Sequence, residues 1–146
     1  MKTFATVVAL CLVAMPTIVS AFDDSTEQAL RHSAPKGITE AFFACTKKTG
    51  FDKAELSNCI STELKVQDRR LNKAYSALMT HLDDKSKASL RAAERAWLDF
   101  NVKSITAETD IGGTNQTTDL DVAQAELYRY CDRANVLERY LFGLGL

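Results

Sequence analysis

Apolar residues recur along this chain in steps of three and four. From Asp52 to Leu82 they fall at Leu56, Cys59, Ile60, Leu64, Leu71, Tyr75, Leu78 and Leu82, with one gap at Gln67 and Asp68. This spacing keeps one stripe of a helix apolar for about eight turns at 3.6 residues per turn. No Pro or Gly interrupts the run. Asp52 stands at the N-cap position, and Glu55 three residues on completes a variant of the capping box. The pattern predicts one long helix.

A stripe of this length has to be buried against partners, because an isolated amphipathic helix is not stable in water. The chain supplies two. From Lys85 to about Thr106 the period repeats with Leu90, Ala93, Trp97, Phe100 and Ile105. From about Leu120 to Leu141 it repeats with Ala123, Leu127, Tyr130, Cys131, Ala134, Leu137 and Leu141. A shorter pattern, Ile38 to Lys48, has Thr39 as cap and Phe42, Phe43 and Cys45 for packing. With no alternating strand pattern, the expected fold is all-α: a small helical bundle of three main helices plus a short N-terminal helix, one domain over residues 38–146. Asp83 and Asp84 mark a tight turn with Asp84 as the next cap, Asp110 to Asp119 reads as a loop, and Thr118 or Asp119 caps the last helix. Gly143 and Gly145 stop it.

The start of the chain differs in kind. Lys2 precedes an apolar run from Phe4 to Val13, followed by Pro16 and a Val19-Ser20-Ala21 end. This is the layout of a secretory signal peptide cut after Ala21, too short in its apolar run for a membrane span. Phe22 to Gly37 is polar and aperiodic and is expected to be a flexible N-terminal arm. Removing the first twenty-one of 146 residues leaves 125 and takes away one positive charge, Lys2, so the formal net charge moves from -1 to -2. Neither nucleic acid nor an anionic membrane surface suits that balance, since both reward a basic face. The expected location is periplasmic or secreted.

Export bears on the cysteines. Of four, Cys11 lies in the leader, and Cys45, Cys59 and Cys131 remain. In an oxidising compartment an odd count permits one bond within the chain and leaves one thiol. Cys45 and Cys59 flank the turn signal Thr49-Gly50 and are the favoured disulfide, with two separate buried thiols as the alternative.

Little in the chain suggests chemistry. His32 and His81 sit in no nucleophile–base motif, no Cys/His cluster has metal-ligand spacing, and no glycine-rich phosphate loop follows a strand. The expectation is a protein without catalytic residues, metal or cofactor. Asp68, Asn72 and Tyr75 lie at i, i+4 and i+7 along one helix face. They read either as a recognition patch or as a hydrogen-bonded ladder fixing the bundle register, and the ladder is favoured. Trp97 in ERAWLDF is similarly read as a core anchor. The small, polar loop Asp110–Asp119 is longer than two neighbouring helices need, and reads either as a functional loop, for which such length is common, or as a tolerated disordered insertion.

Together these residues resemble the LprI-type lysozyme inhibitor family of small exported bacterial helical domains. The matching elements are Cys45 and Cys59 with AELSNC, Asp68 with Leu71-Asn72 and Tyr75, Leu90, the block Glu94-Arg95-Ala96-Trp97-Leu98-Asp99-Phe100, Gly112-Gly113-Thr114, and Cys131 with Arg139 following. They span roughly Phe42 to Leu141 in order. Three positions depart: Glu94 stands where the family usually has Gln, Asn101 where it usually has Arg, and Ser104 where a third cysteine falls. If that cysteine pairs with the fourth, Cys131 has lost its partner and remains as a buried thiol or forms an intermolecular bond. The resemblance implies inhibition of a lysozyme, or another cell-wall hydrolase, by binding. Gly112, Gly113, Thr114, Asn115 and Gln116 are the candidate partner-binding loop, narrow and donor-rich enough to enter a cleft. The competing reading is an immunity or accessory interaction protein of the envelope with a different partner.

Overall fold

The computed structural model describes residues 19–50 and 52–146. Their regular structure is five helices, with no strand among the described residues: α1 (Val19–Ser33), α2 (Glu40–Thr49), α3 (Lys53–His81), α4 (Asp84–Gly112) and α5 (Gln116–Gly143). The expected leader lies outside the described residues up to residue 18, and its last three residues open α1. None of the described helices is long and apolar enough to cross a membrane.

Helix starts follow the capping chemistry, with two shifts. Thr39 accepts from the Phe42 amide and Asp52 from the Glu55 amide, as expected. The α4 cap is Asp83 rather than Asp84, its carboxylate accepting from the Ser86 amide at 2.7 Å. That backbone bond holds the Asp83 carboxyl below its usual range. The α5 cap is Asn115 rather than Thr118 or Asp119. In consequence the ten-residue loop expected at Asp110–Asp119 contracts to three residues, because α4 continues to Gly112 and α5 begins at Gln116. Helix hydrogen bonding propagates where no side chain is buried: Ile111, in the last turn of α4, is 87% exposed. Apolar periodicity reports burial, so it fell silent two turns before the helix did.

The arm expected at residues 22–37 is also corrected, since α1 is helical through Ser33. Its hold on α2 is part ionic and part apolar: Glu27 pairs with Arg31 and Lys47, Arg31 pairs with Glu40 and lies 4.2 Å over the Phe43 ring, and Leu30 packs on the Phe42–Phe43 cluster.

α3 and α5 form the most extensive interface and run parallel: Lys53 meets Thr117 at one end, and Arg70 meets Asn135 and Glu138 further along. α4 returns antiparallel to both, close against α5 and standing off from α3. The apolar core is in two parts. One joins Phe42, Phe43, Ile60, Leu127 and Cys131 around α2, and the other joins Leu71, Ala74, Leu78, Leu90, Ala134 and Leu137.

Between them lies a polar layer. Buried Glu63 accepts from the Thr39 amide (2.9 Å) and hydroxyl (2.6 Å) and from Gln67 Nε2 (2.6 Å). Arg70 donates to Gln67 (2.6 Å) and grips both oxygens of Glu138 (3.1 and 2.5 Å). Burial opposes the Arg70 charge, but Glu138 and Cys131 together outweigh it and raise the guanidinium's pKa. The α1–α2 connection closes over this layer: the Gly37 carbonyl accepts from Gln67 and the Lys36 carbonyl from Asn135. Gly37 has φ +110°, and a Cβ there would lie 2.5 Å from Arg70 Nη1. Only glycine fits.

Cys45 and Cys59 are bonded, with Cα atoms 5.9 Å apart, tying α2 to α3. Closing a loop of this size stabilises by about 3 kcal/mol in the chain-entropy model. Cys45→Ser/Cys59→Ser is therefore expected to lose about that much in urea unfolding. A loss below about 1 kcal/mol would mean that α2 is held by Phe42, Phe43 and Thr39 alone.

A groove between α3 and α4

Four of the residues singled out on α3 and α4 come together in space. Because α4 packs mainly on α5 and meets α3 only sparsely, an open groove of about 380 Å³ runs between α3 and α4. From α3 it is lined by Asp68, Leu71, Asn72 and Tyr75. From α4 come Arg91, Glu94, Arg95, Trp97 and Leu98, and Tyr130 of α5 forms the floor. Asp68, Asn72 and Tyr75 thus share a wall, as their spacing implied. Asn72 donates to Asp68 at 2.9 Å, a bond within α3 that does not reach the neighbouring helices. Trp97 is half-buried and stands edge-on to Tyr130, ring centroids 5.0 Å apart and planes at 78°. It is at once a packing anchor and a wall of the groove. Burial raises the Tyr130 phenol above its usual value, with Glu126 and Asp68 adding to the effect.

The α4–α5 seam behind the groove is polar. Glu94 is buried and receives Arg133, whose Nε donates at 3.0 Å. Asn101, also buried, accepts from Arg129 Nε at 2.7 Å and donates to Glu126 at 3.4 Å, while Arg129 Nη1 reaches Glu108 at 2.6 Å. Glu94 and Asn101, two of the three positions set apart in the sequence, therefore both face α5 and are held there by arginines. This also corrects the expected apolar side of α4. Leu90 is buried and Trp97 half-buried, but Ala93 and Phe100 are exposed, and Glu94 and Asn101 take the inward positions. Ion pairs replaced apolar contacts, and the period alone put the face about one residue out of phase.

The third departure, Ser104, has a different setting. Cys131 is a free thiol, fully buried, within 3.5 Å of the Lys36 carbonyl and 3.7 Å of Arg70 Nη1. Burial pushes its pKa up, against the pull of Arg70. A thiol so enclosed is inert and has no surface for an intermolecular bond. Asn101 already meets Glu126 and Arg129, so Ser104, one turn further along α4, lies toward the α4–α5 turn. Cys131 instead packs toward Arg70 of α3. The pairing of positions 104 and 131 does not fit this register.

Arg139 and Phe100 are exposed and lie outside the groove, and Gly112 to Gln116 form a separate tip. Trp97 and Gly112 are fifteen positions apart on α4, about 22 Å at 1.5 Å per residue. The tip is tightly built. Gly113 adopts φ +74°, a conformation open to glycine. The Asn115 side chain accepts from the Thr117 and Thr118 amides and donates to Thr118 Oγ1 (2.8 Å) and the Gly112 carbonyl (3.4 Å). Its donors are thus spent on the turn itself, while Thr114 and Gln116 are exposed.

Sequence reading missed Glu63, Gln67, Arg70, Arg129 and Arg133. One signal was present: the gap in the α3 stripe is where Gln67 sits, completely buried. The family model of the lysozyme inhibitor LprI matches residues 45–138, covering the disulfide, the groove and the tip. No curated protein and no solved structure matches the chain.

Proposed function

From the chain's membership of the LprI lysozyme inhibitor family, we propose that it is an exported inhibitor that binds a lysozyme or related cell-wall hydrolase and blocks its cleft with the α4–α5 tip. Export is supported by the disulfide, which belongs to oxidising compartments, and by the leader pattern of the first twenty-one residues. The inhibitor acts by occupying space and performs no chemistry of its own.

The observation that carries the choice of surface is the shape of the tip. Three residues link two helices of 29 and 28 residues, so the end of the hairpin is narrow. Its internal hydrogen bonds fix it before it meets a partner, which lowers the entropy lost on binding. Ile111 stands almost wholly exposed beside polar Thr114 and Gln116, an apolar anchor with a polar rim of the kind that dominates binding energy. Lysozymes work through two carboxylates in a cleft, so negative charge added to the tip is repelled there.

The variant Ile111→Glu/Thr114→Glu/Gln116→Glu leaves Asn115 and Gly113 in place and is expected to keep its melting temperature. Inhibition of cell-wall lysis is expected to weaken by at least about 100-fold, the equivalent of about 2.8 kcal/mol. Unchanged inhibition by a folded variant would rule out the tip. No inhibition by the unaltered protein against lysozymes of several types would overturn the function itself and favour a different envelope partner.

A further inference from the structure

The α3–α4 groove is separate from the tip and has its own chemistry. Its two rims differ. On α4, Arg91 and Arg95 are one turn apart and exposed, and neither has an ion-pair partner among the described residues. The two half-buried arginines of α5 are matched instead: Arg129 with Glu108 and Arg133 with Glu94. Glu94 lines the groove but is neutralised from behind by Arg133. On α3, Asp68 holds the Asn72 amide. The lining therefore carries two unpaired cations against one anion, with the cations together on one side.

The rest of the lining is largely apolar and aromatic: Leu71, Tyr75, Trp97 and Tyr130. A concave site of a few hundred Å³, mostly apolar with a few convergent polar groups, is the usual form of a small-ligand pocket. Two arginines at i and i+4 present a paired fork to a carboxylate, and aromatic rings favour a flat or apolar face laid against them.

We infer that this groove binds a small carboxylate with one apolar face, an acidic sugar or an aromatic acid, its carboxylate on Arg91 and Arg95 and its apolar face over Trp97 and Tyr130. Asp68 and Asn72, on the opposite rim, are placed to take a hydroxyl or amide of the same ligand. This site lies about 22 Å from the tip and stands whether or not the tip binds a lysozyme.

Trp97 is the single tryptophan of the chain, so its emission reports the groove directly. Purified protein is titrated with N-acetylmuramic acid, 3-phenylpropionate and the neutral N-acetylglucosamine. The expected result is a saturable emission change with at least one of the two acids and none with the neutral sugar. Saturation by N-acetylmuramic acid identifies the acidic-sugar source, and saturation by 3-phenylpropionate alone the aromatic acid. Arg91→Gln/Arg95→Gln removes only exposed guanidinium groups, keeps the melting temperature and is expected to weaken the response at least tenfold. No saturable response to either acid, equal binding of the neutral sugar, or undiminished binding by the folded double variant would each overturn the site.

Discussion

Replacing Glu63 by Ala lowers the stability of the protein by about 3–4 kcal/mol, read as a shift of the urea midpoint. The carboxylate is 3% exposed and accepts three hydrogen bonds from two directions. The Thr39 amide and hydroxyl come from the start of α2, and Gln67 Nε2 comes from the next turn of α3. Removing the acceptor strands these donors in the interior, at about 1–3 kcal/mol for each that water cannot reach. The carboxylate also sits at the N-terminal end of α2, where the helix dipole favours negative charge. Glu63→Gln keeps the volume and one acceptor oxygen, so it is expected to lose only about half as much. A second consequence is local: Thr39 ties the α1–α2 connection to α3, so amide exchange in α2 is expected to quicken more than in α5. A loss below 1 kcal/mol for Glu63→Ala would show that water reaches the layer and that α2 is held by the disulfide and the two phenylalanines alone.

How far this arrangement could be read beforehand depends on which force holds each element. α3 was legible to within a residue because it is held by an apolar stripe between a clear cap, Asp52, and a clear end at Leu82. The disulfide followed from two cysteines around a turn. α1 was not legible, because much of its hold on α2 is the ion pairs of Glu27, Arg31, Lys47 and Glu40, and Leu30, which packs on the α2 cluster, sits in a segment that read as polar. The inner face of α4 was half legible: Leu90 and Trp97 showed it, whereas Glu94 and Asn101 carry no apolar signal, and their place became visible only with Arg133 and Arg129 opposite them. The groove was legible only in pieces. Asp68, Asn72, Tyr75 and Trp97 were each singled out and set down mainly as packing. That α4 stands off from α3, so that these side chains face one another across open space, is a consequence of which helix α4 leans on. No spacing within one helix encodes that choice.

The same polar seam makes Arg133 the second sensitive position. Arg133→Met keeps most of the side-chain volume but leaves Glu94 buried with its partner gone. Its side chain is 11% exposed and that of Arg133 is 14%. Breaking a pair this enclosed by removing one member costs about 3–5 kcal/mol, and the slight exposure puts the expected loss at the lower end, about 3 kcal/mol. Glu94→Gln keeps an acceptor for Arg133 and is expected to lose much less. The double variant Glu94→Leu/Arg133→Met removes both charges and is expected to recover most of the stability of the unaltered protein, since a matched apolar pair often replaces a buried ion pair without loss. A double-mutant cycle isolates the coupling. Because α4 has few apolar contacts besides Leu90 and Trp97, the loss in Arg133→Met is expected to appear first as a loosening of α4. Trp97 emission then shifts to the red at denaturant concentrations where helicity is still intact. Coincident fluorescence and helicity transitions, with no loss in Arg133→Met, would mean that α4 is secured by Leu90, Trp97 and the α4–α5 turn, and that the buried pair does not hold the groove open.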